Sequence, residues 1–186
     1  TASPTQSAAR IETSKSFMRT LLRRHKVRGS IRHEIVGSVR ELELALDKLG
    51  MDVVVKPTGL TGGKGVKVFG EHLMSREDII AYGEEILSKG IGGSARLVLE
   101  EKLVGEEFTI QAFCDGKRVV PMPAVQDHKR AYEGDQGPNT GGMGSYSQND
   151  GLLPFLRREE YEAAVRIMSR VVDALRKEGS EYRGTM

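Results

Sequence analysis

Apolar residues recur at helical spacing in four stretches of the chain, and each stretch predicts an amphipathic helix with one buried face. The first begins at Thr13 and the last spans 157–178. The second and third follow Ser38 and Ser75, which each precede an acidic residue at the spacing of a capping box. Residues 1–12 are small and polar, and we expect a connector there.

Short runs rich in β-branched residues predict the strands. The expected strands are 53–55, 66–69, 96–101, 107–113 and 117–122. The last two flank Asp115-Gly116, a strong signal for a two-residue hairpin, so Asp115 is predicted to be a turn residue. Hairpins on one side and interspersed helices predict an α+β fold with largely antiparallel sheets.

The stretch 126–147 follows neither pattern. It contains no Val, Ile, Leu, Phe or Trp, and it carries glycines, tyrosines and charged side chains instead. It is therefore predicted to be neither a core strand nor an amphipathic helix. A long loop without secondary structure is usually either functional or disordered, and this composition differs from that of a plain disordered linker. We predict a functional loop.

Composition and charge narrow the function classes. With 186 residues and a net charge of +2, the chain forms one large domain or two small lobes and does not require nucleic acid as a partner. Cys114 is the only cysteine, which excludes an internal disulfide and fits a reducing, cytoplasmic setting. The histidines and this cysteine lack metal-ligand spacing. No apolar run is long enough to predict a membrane span or a signal peptide.

A glycine-rich loop, KPTGLTGGKG at 56–65, joins the first two predicted strands. It is not a Walker P-loop, because Thr58 and Gly65 replace two required residues and a strand follows instead of a helix. Glycines nevertheless allow successive amides to turn inward and bind an anion, and Lys56 and Lys64 add positive charge. A phosphate-binding lid is therefore predicted; a flexible hairpin with two solvated lysines is the alternative.

The roles of the other charged residues remain open at this point. Lys15 is expected to be a solvated lysine of the first helix, and the basic stretch 19–32, which lacks interleaved aromatics, is expected to be a solvated helix face. Glu100 and Glu101 form either a solvated strand end or part of a wet site. Motifs for covalent nucleophilic catalysis are missing from the sequence, so the chemistry indicated is phosphate handling.

Three stretches together resemble the ATP-grasp ligases. VVVKPTGLTGGKGVKVF at 53–69 is similar to the phosphate lid of that superfamily, and LVLEEKLVGEEFT at 97–109 is similar to its adenine–ribose hinge. The third stretch, QDHKR…GDQGPNTGGMGSYS at 126–147, resembles the signature of the phosphoribosylamine–glycine ligase family. The resemblance extends over essentially the whole chain.

This resemblance implies an ATP-grasp fold of two α+β lobes with largely antiparallel sheets, incomplete at the C-terminus. The implied parts are a helical part (1–50), a lid subdomain (51–104) and a central subdomain (105–186) that carries the substrate loop. It further implies that a metal-binding segment follows Met186, so we expect this chain alone to be inactive.

The implied reaction joins glycine to 5-phosphoribosylamine and converts ATP to ADP and phosphate through a glycyl phosphate. It belongs to de novo purine biosynthesis in the cytoplasm. The implied cofactors are ATP and Mg²⁺ or Mn²⁺, and the partners are small molecules, with no nucleic acid and no membrane. Two alternatives stay open: a nucleotide-binding module without catalysis, and an ATP-grasp ligase for a different amino acid.

The resemblance also implies residue roles. Adenine would pair with backbone atoms of Glu101 and Leu103, and Glu107 would accept hydrogen bonds from the ribose. For His128, a structural hydrogen bond is an equally open alternative. The implied catalytic residues are Lys56, Lys129 and Arg130. The implied ATP-binding residues are Lys15, Lys56, Gly62, Gly63, Lys64, Gly65, Glu100, Glu101, Leu103 and Glu107. The implied substrate-binding residues are Asp127, His128, Lys129, Arg130, Asn139, Thr140, Gly141, Gly142, Met143 and Gly144.

Overall fold

A computed structural model describes residues 3–62, 65–128, 130–134, 136–141 and 143–186. The chain forms two compact units. The first unit is Ala9–Val104, and the second unit is Gly105–Met186 together with the residues up to Ala8. All pairings between the strands named below are antiparallel, as the sequence predicted.

Up to Val104 the described part of the chain forms four helices and four strands. They are α1 (Gln6–Thr13), α2 (Lys15–Arg24), β1 (His33–Val36), α3 (Val39–Leu49), β2 (Val53–Pro57), β3 (Lys67–Val68), α4 (Arg76–Lys89) and β4 (Leu97–Glu101). The four strands form one sheet in the order β1-β4-β2-β3.

The core of the first unit lies between α3, α4 and one face of this sheet. Its central side chains are Leu42, Leu46, Ile79, Ile86, Val53, Val55, Leu97 and Leu99. Because successive side chains of a strand point to opposite faces, Lys56 and Glu100 lie on the other face of the sheet. Helix α2 packs against β4 in the same unit.

Both predicted N-caps are present. Ser75 accepts a hydrogen bond from the backbone N–H of Asp78, and Asp78 accepts one from that of Ser75, which completes the capping box of α4. Ser38 accepts from the N–H of Glu41, but the Glu41 carboxylate accepts from Gly37 and not from Ser38. At the start of α3, the carboxylate of the predicted capping box therefore bonds to the residue before the N-cap and not to the N-cap itself.

Helix α1 occupies the region where we expected a connector, so that expectation was wrong. The segment has no apolar stripe to signal a helix, but most of its residues have good intrinsic helix propensity. Thr5 Oγ1 accepts a hydrogen bond from the N–H of Ala8 near its start, and Ala8 is fully buried. Local propensity and one buried alanine thus stabilise a helix that periodicity does not reveal.

The second unit contains short strands and one long helix. They are β5 (Ala112–Asp115), β6 (Val119–Pro121), β7 (Gln126–Asp127), β8 (Arg130–Tyr132), β9 (Gln136–Asn139), β10 (Ser145–Tyr146), α5 (Arg158–Lys177) and β11 (Arg183–Thr185). The sheets have the orders β11-β5-β6, β10-β7 and β8-β9. Asp115 was predicted to be a turn residue but is the last residue of β5, and its Oδ1 accepts from the N–H groups of Lys117 and Arg118 in and after the turn that follows.

The stretch 126–147 carries secondary structure that its composition does not predict. Strand β7 pairs with β10, and β8 pairs with β9. The backbone hydrogen bonds of such short ladders need no apolar side chains, so they leave little trace in the sequence pattern. The expectation of a loop without secondary structure was therefore wrong. No helix among the described residues is long and apolar enough to cross a membrane.

Candidate functional site

Three cations surround one buried carboxylate on the face of the first unit's sheet that lies opposite the core. Arg19 Nε lies 2.6 Å from Glu100 Oε1, and Lys56 Nζ lies 2.7 Å from Oε2. The Glu100 side chain is only 1% exposed. Lys15 completes the group, since its charge interacts with both Lys56 and Glu100. We call Lys15, Arg19, Lys56 and Glu100 the cation cluster.

The local structure brings these four side chains together. Lys15 and Arg19 are four positions apart on α2, so they project from the same side of the helix. Lys56 and Glu100 lie on neighbouring strands, where Val54 is the register partner of Glu100. The core faces of β2 and β4 are apolar, and the cluster occupies the opposite face.

The electrostatics of the cation cluster leave it positive. Burial raises the pKa of Glu100, but hydrogen bonding and charge from Arg19 and Lys56 outweigh burial and hold the pKa below its usual value. Burial and repulsion from Lys56 lower the pKa of Lys15, while Glu100 partly opposes this shift. Three cations against one carboxylate form a site suited to a polyanion.

The cluster also holds the start of the glycine-rich loop. The Lys15 backbone N–H donates to Thr58 O at 2.8 Å, and its ammonium donates to Gly59 O at 2.8 Å. Lys15 is half-buried and Arg19 is 13% exposed, so the expectation of solvated side chains was wrong for both. Glu100 is buried as well, so it does not belong to a solvated strand end.

Two further contacts fix the ends of the loop. A Cβ on Gly59 would lie 2.0 Å from Gly92 O, so only glycine permits this approach of two backbone segments. At the other end, the Tyr82 hydroxyl donates to Gly65 O at 2.8 Å, and burial raises the pKa of Tyr82. Gly62 has a left-handed φ of 59° at the turn. The predicted site residues Gly63 and Lys64 lie outside the described residues.

The predicted hinge, 97–109, consists of β4 and the residues that follow it. Glu101 accepts from the backbone N–H of Arg32 at 2.8 Å and from its Nε at 2.7 Å, and these hydrogen bonds lower the pKa of Glu101. Arg32 therefore engages the Glu101 side chain, and the Glu101 N–H also donates to Arg32 O at 3.0 Å, so a main-chain contact with a ligand would use the Glu101 carbonyl. Leu103 is 67% exposed, as a residue that presents backbone atoms to a ligand would be.

In the second unit, Glu107 lines a polar cleft of about 340 Å³. The cleft is lined by Glu106, Glu107, Phe108, Thr109 and Asp127. It brings together two predicted site residues that are distant in sequence, Glu107 and Asp127. A carboxylate-rich cleft of this kind can accept hydrogen bonds from sugar hydroxyl groups.

His128 joins the two ends of the stretch 126–147. Its ring stacks on Tyr146 with 5.8 Å between centroids, and its N–H donates to Gly144 O at 2.8 Å. The Thr140 hydroxyl donates to His128 O. Tyr146 in turn donates to Gln126 Oε1 at 2.6 Å. The structure thus brings His128, Thr140 and Gly144 together.

The remaining predicted substrate residues are less closely grouped. Arg130 and Asn139 are register partners in the β8–β9 pair. Gly141 has a left-handed φ of 69°, and the Met143 side chain is 89% exposed. Lys129 and Gly142 lie outside the described residues.

A family model described as phosphoribosylglycinamide synthetase, ATP-grasp (A) domain, matches residues 13–186. The chain belongs to this family. Phosphoribosylamine–glycine ligases from Methanothermobacter thermautotrophicus and Methanobrevibacter smithii are 57% and 50% identical to it, each over 98% of this chain. The chain spans about 42% of the length of these relatives.

Solved structures confirm the ATP-grasp fold of this family member. The phosphoribosylamine–glycine ligase of Thermotoga maritima superposes with a TM-score of 0.85 at 29% identity, over 99% of this chain and 45% of that one. A D-alanine–D-alanine ligase of Bacillus anthracis complexed with ATP gives a TM-score of 0.68 at 19% identity, over 99% of this chain and 52% of that one. At that identity the second likeness shows the fold alone.

Sequence reasoning missed several residues of the site. Arg19 had one usable signal, its spacing of four residues from Lys15 on a predicted helix. Tyr82 gave none, because it reaches the loop through a contact with Gly65, a residue distant in sequence. Gln126 and Tyr146 lie in the predicted functional stretch 126–147, but neither was named individually as a site residue.

A magnesium site is not formed by the part of the chain that the structure describes. Among these residues, no group of three or more His, Cys, Asp or Glu side chains converges as metal ligands would. Mg²⁺ requires a near-octahedral set of oxygen ligands, and the described carboxylates do not provide one.

Proposed function

We propose that this chain is the ATP-binding segment of a ligase that joins glycine to 5-phosphoribosylamine, with ATP converted to ADP and phosphate. The observation that carries the proposal is the cation cluster at the base of the glycine-rich loop. Membership of the phosphoribosylglycinamide synthetase family supports it, and so do the names of its relatives.

In this proposal, the first unit binds the nucleotide. Lys15 and Lys56 hold the phosphates and offset the charge that moves onto them during phosphoryl transfer. The amides of the glycine-rich loop contact the same phosphates, since glycine allows close backbone approach. Backbone atoms of Glu101 and Leu103 contact adenine, and the ribose contact of Glu107 stays a prediction from the family resemblance.

The second unit holds the acceptor substrates. Asp127, His128 and Thr140, with Arg130 and the neighbouring glycines, bind glycine and the phosphorylated sugar. A carboxylate oxygen of glycine attacks the γ-phosphorus and ADP leaves. The sugar amine then attacks the acyl carbon of glycyl phosphate, and phosphate leaves with the amine losing a proton. Positioning and charge neutralisation suffice for both steps, so no protein nucleophile is needed. The cytoplasmic location expected for this reaction stays a prediction.

The test is an ADP-release assay on the natural full-length protein with ATP, glycine and 5-phosphoribosylamine. We expect release to require all three substrates. Lys56→Met is expected to lower kcat/KM for ATP on the order of 100-fold, the effect of removing one group that stabilises transition-state charge. Lys48→Met is the matched control, because Lys48 is exposed and paired with Glu34 on the protein surface.

Other outcomes would assign a different function. Turnover with alanine in place of glycine would make the protein a ligase for another amino acid. ATP binding without turnover, under conditions where a known ligase is active, would make it a non-catalytic nucleotide module. Either result would overturn the proposed reaction.

A further inference from the structure

We propose that Glu100, together with Arg19, is a positioning pair that holds Lys56 in place for the nucleotide phosphates. This inference rests on the proposed function, and it gives Glu100 a different role from the ATP contact that the family resemblance implies. At 1% exposure, the Glu100 side chain has no surface to offer to a ligand. Its two oxygens contact Arg19 and Lys56 instead, so it acts through these cations.

The two contacts differ in kind. Arg19 donates a directed hydrogen bond to Oε1 at 2.6 Å. Lys56 Nζ lies 2.7 Å from Oε2, and its ammonium is a compact charge whose three N–H donors can rotate. Because an ammonium carries three N–H groups, its contact with Glu100 leaves N–H groups for an incoming phosphate. Lys56 is also 27% exposed, which leaves it accessible from solvent.

Every element packed around Glu100 contributes a titratable or charged group. Helix α2 provides Lys15 and Arg19, and β2 provides Lys56. Strand β1 provides His33, the register partner of Glu100 and therefore on the same face of the sheet. His33 Nδ1 lies 2.9 Å from Ile31 O, and a carbonyl only accepts, so Nδ1 carries a proton. Of the groups named here, Glu100 alone is a carboxylate, so it provides the counter-charge to the three cations.

Removing this counter-charge has a consequence that a loss of packing would not reproduce. Without Glu100, the charges of Lys15, Arg19 and Lys56 repel each other with no compensation, so Lys15 loses its proton at lower pH. The loss of polyanion binding at alkaline pH then begins at a lower pH than in the wild type. Removal of Arg19 has the opposite effect, because Glu100 remains and one cation is lost, so Lys15 keeps its proton to higher pH.

The experiment is titration of ATP into the natural full-length protein at a series of pH values above about 8, where the terminal phosphate of ATP is fully ionised. We expect Glu100→Gln to weaken ATP binding on the order of tenfold and to move its alkaline decline to lower pH. We expect Arg19→Gln to move that decline to higher pH. Glu100→Asp keeps the carboxylate and should restore much of the wild-type profile. Glu34→Gln, a surface carboxylate on β1 paired with Lys48, is the matched control and should change neither quantity.

The outcomes separate the two proposals. A wild-type protein that binds no ATP would overturn the proposed function itself. Wild-type binding with unchanged pH profiles in both variants would overturn the positioning role, and so would a shift of both profiles in the same direction. Should Glu100→Gln fail to fold, the direction of the shift in Arg19→Gln decides alone.

Discussion

Glu100 stays ionised although it is buried, because Arg19 and Lys56 both lie within hydrogen-bond distance of its carboxylate. A buried charge of this kind costs free energy unless its partners remain in place. The same residue therefore links the stability of the first unit to the state of the site. The free energy of unfolding therefore depends on both partners, Arg19 and Lys56, and on the ionised state of the Glu100 carboxylate.

Stability at low pH is expected to depend on Glu100. Its pKa in the folded protein lies below the usual 4.5, so the stability it provides is present above that value and is lost as pH falls below it. Glu100→Gln should lower the free energy of unfolding at neutral pH by about 3 kcal/mol, because it leaves two cations without their partner. Urea unfolding at several pH values measures both the loss of stability at low pH and the cost of the substitution at neutral pH.

In that experiment the gap between wild type and Glu100→Gln should narrow on acidification, since the wild-type carboxylate then becomes protonated too. Glu34→Gln provides the comparison for a half-buried carboxylate in an ion pair with exposed Lys48 and should cost less than about 1 kcal/mol. A gap that stays constant down to the lowest pH at which the protein folds would contradict the assignment of Glu100 as an ionised buried group.

The residue identities of the cluster were only partly predictable. Lys56 stands next to a glycine-rich loop, and that signal is local in the sequence. Arg19 and Lys15 were expected to be solvated, because the apolar residues of their helix indicate a buried side but not what the polar side contacts. That contact depends on the packing of α2 against β4, which involves residues far apart in the sequence.

Elements were predicted best where their signals are local. The cap of α4 is an example, because Ser75 and Asp78 bond to each other's backbone within one turn. Ser75→Ala is expected to lower the free energy of unfolding by about 1 kcal/mol, since the N–H of Asp78 loses its acceptor. Ser88→Ala in the same helix is the control. Its hydroxyl bonds only to helical carbonyls, and alanine is the better helix former, so we expect no loss. Equal destabilisation by both substitutions in thermal or urea unfolding would show that the cap contributes nothing specific.

The base of the glycine-rich loop shows what local signals miss. Gly59 and Gly92 approach each other across a long separation in sequence, and no pattern in either segment announces this contact. Strands β7 to β10 were missed for a related reason, because backbone pairing between exposed segments selects no particular side chains. Non-local contacts of backbone groups therefore lie outside what periodicity can predict.

A pair of glycine substitutions isolates this contact. Gly92 and Gly93 both have left-handed φ values, 79° and 74°, so alanine strains the backbone at either position. A Cβ on Gly92 would also lie 3.0 Å from Pro57 Cβ and 3.2 Å from Gly59 N, whereas one on Gly93 would meet nothing within 4 Å. Gly93→Ala should cost about 1 kcal/mol of unfolding free energy, and Gly92→Ala about 1–3 kcal/mol more. Equal costs in urea unfolding would refute the close approach of the two loops.

At the scale of the whole molecule, the fold class followed from the sequence, but the order of the strands within the sheets did not. Alternation and hairpin signals predict antiparallel strands, and the named strands pair that way. The order β1-β4-β2-β3 places β4 between strands that precede it by many residues. Hydrophobic periodicity specifies which face of a strand is buried, but it does not specify which strand lies beside it.

The first unit has a core of its own, and this predicts that residues 9–104 fold independently. All side chains of that core, from Val36 to Leu99, lie within the unit. A peptide of residues 9–104 should therefore unfold in a single cooperative transition in urea, followed by circular dichroism. Leu42→Ala, at a fully buried position of α3, should lower its unfolding free energy by about 2–5 kcal/mol. Leu44→Ala on the same helix, where the side chain is 60% exposed, should change it by less than about 0.5 kcal/mol. A gradual transition in the unsubstituted peptide would mean that the core needs the rest of the chain, because buried apolar contacts within the unit would then be insufficient to offset the conformational entropy of folding.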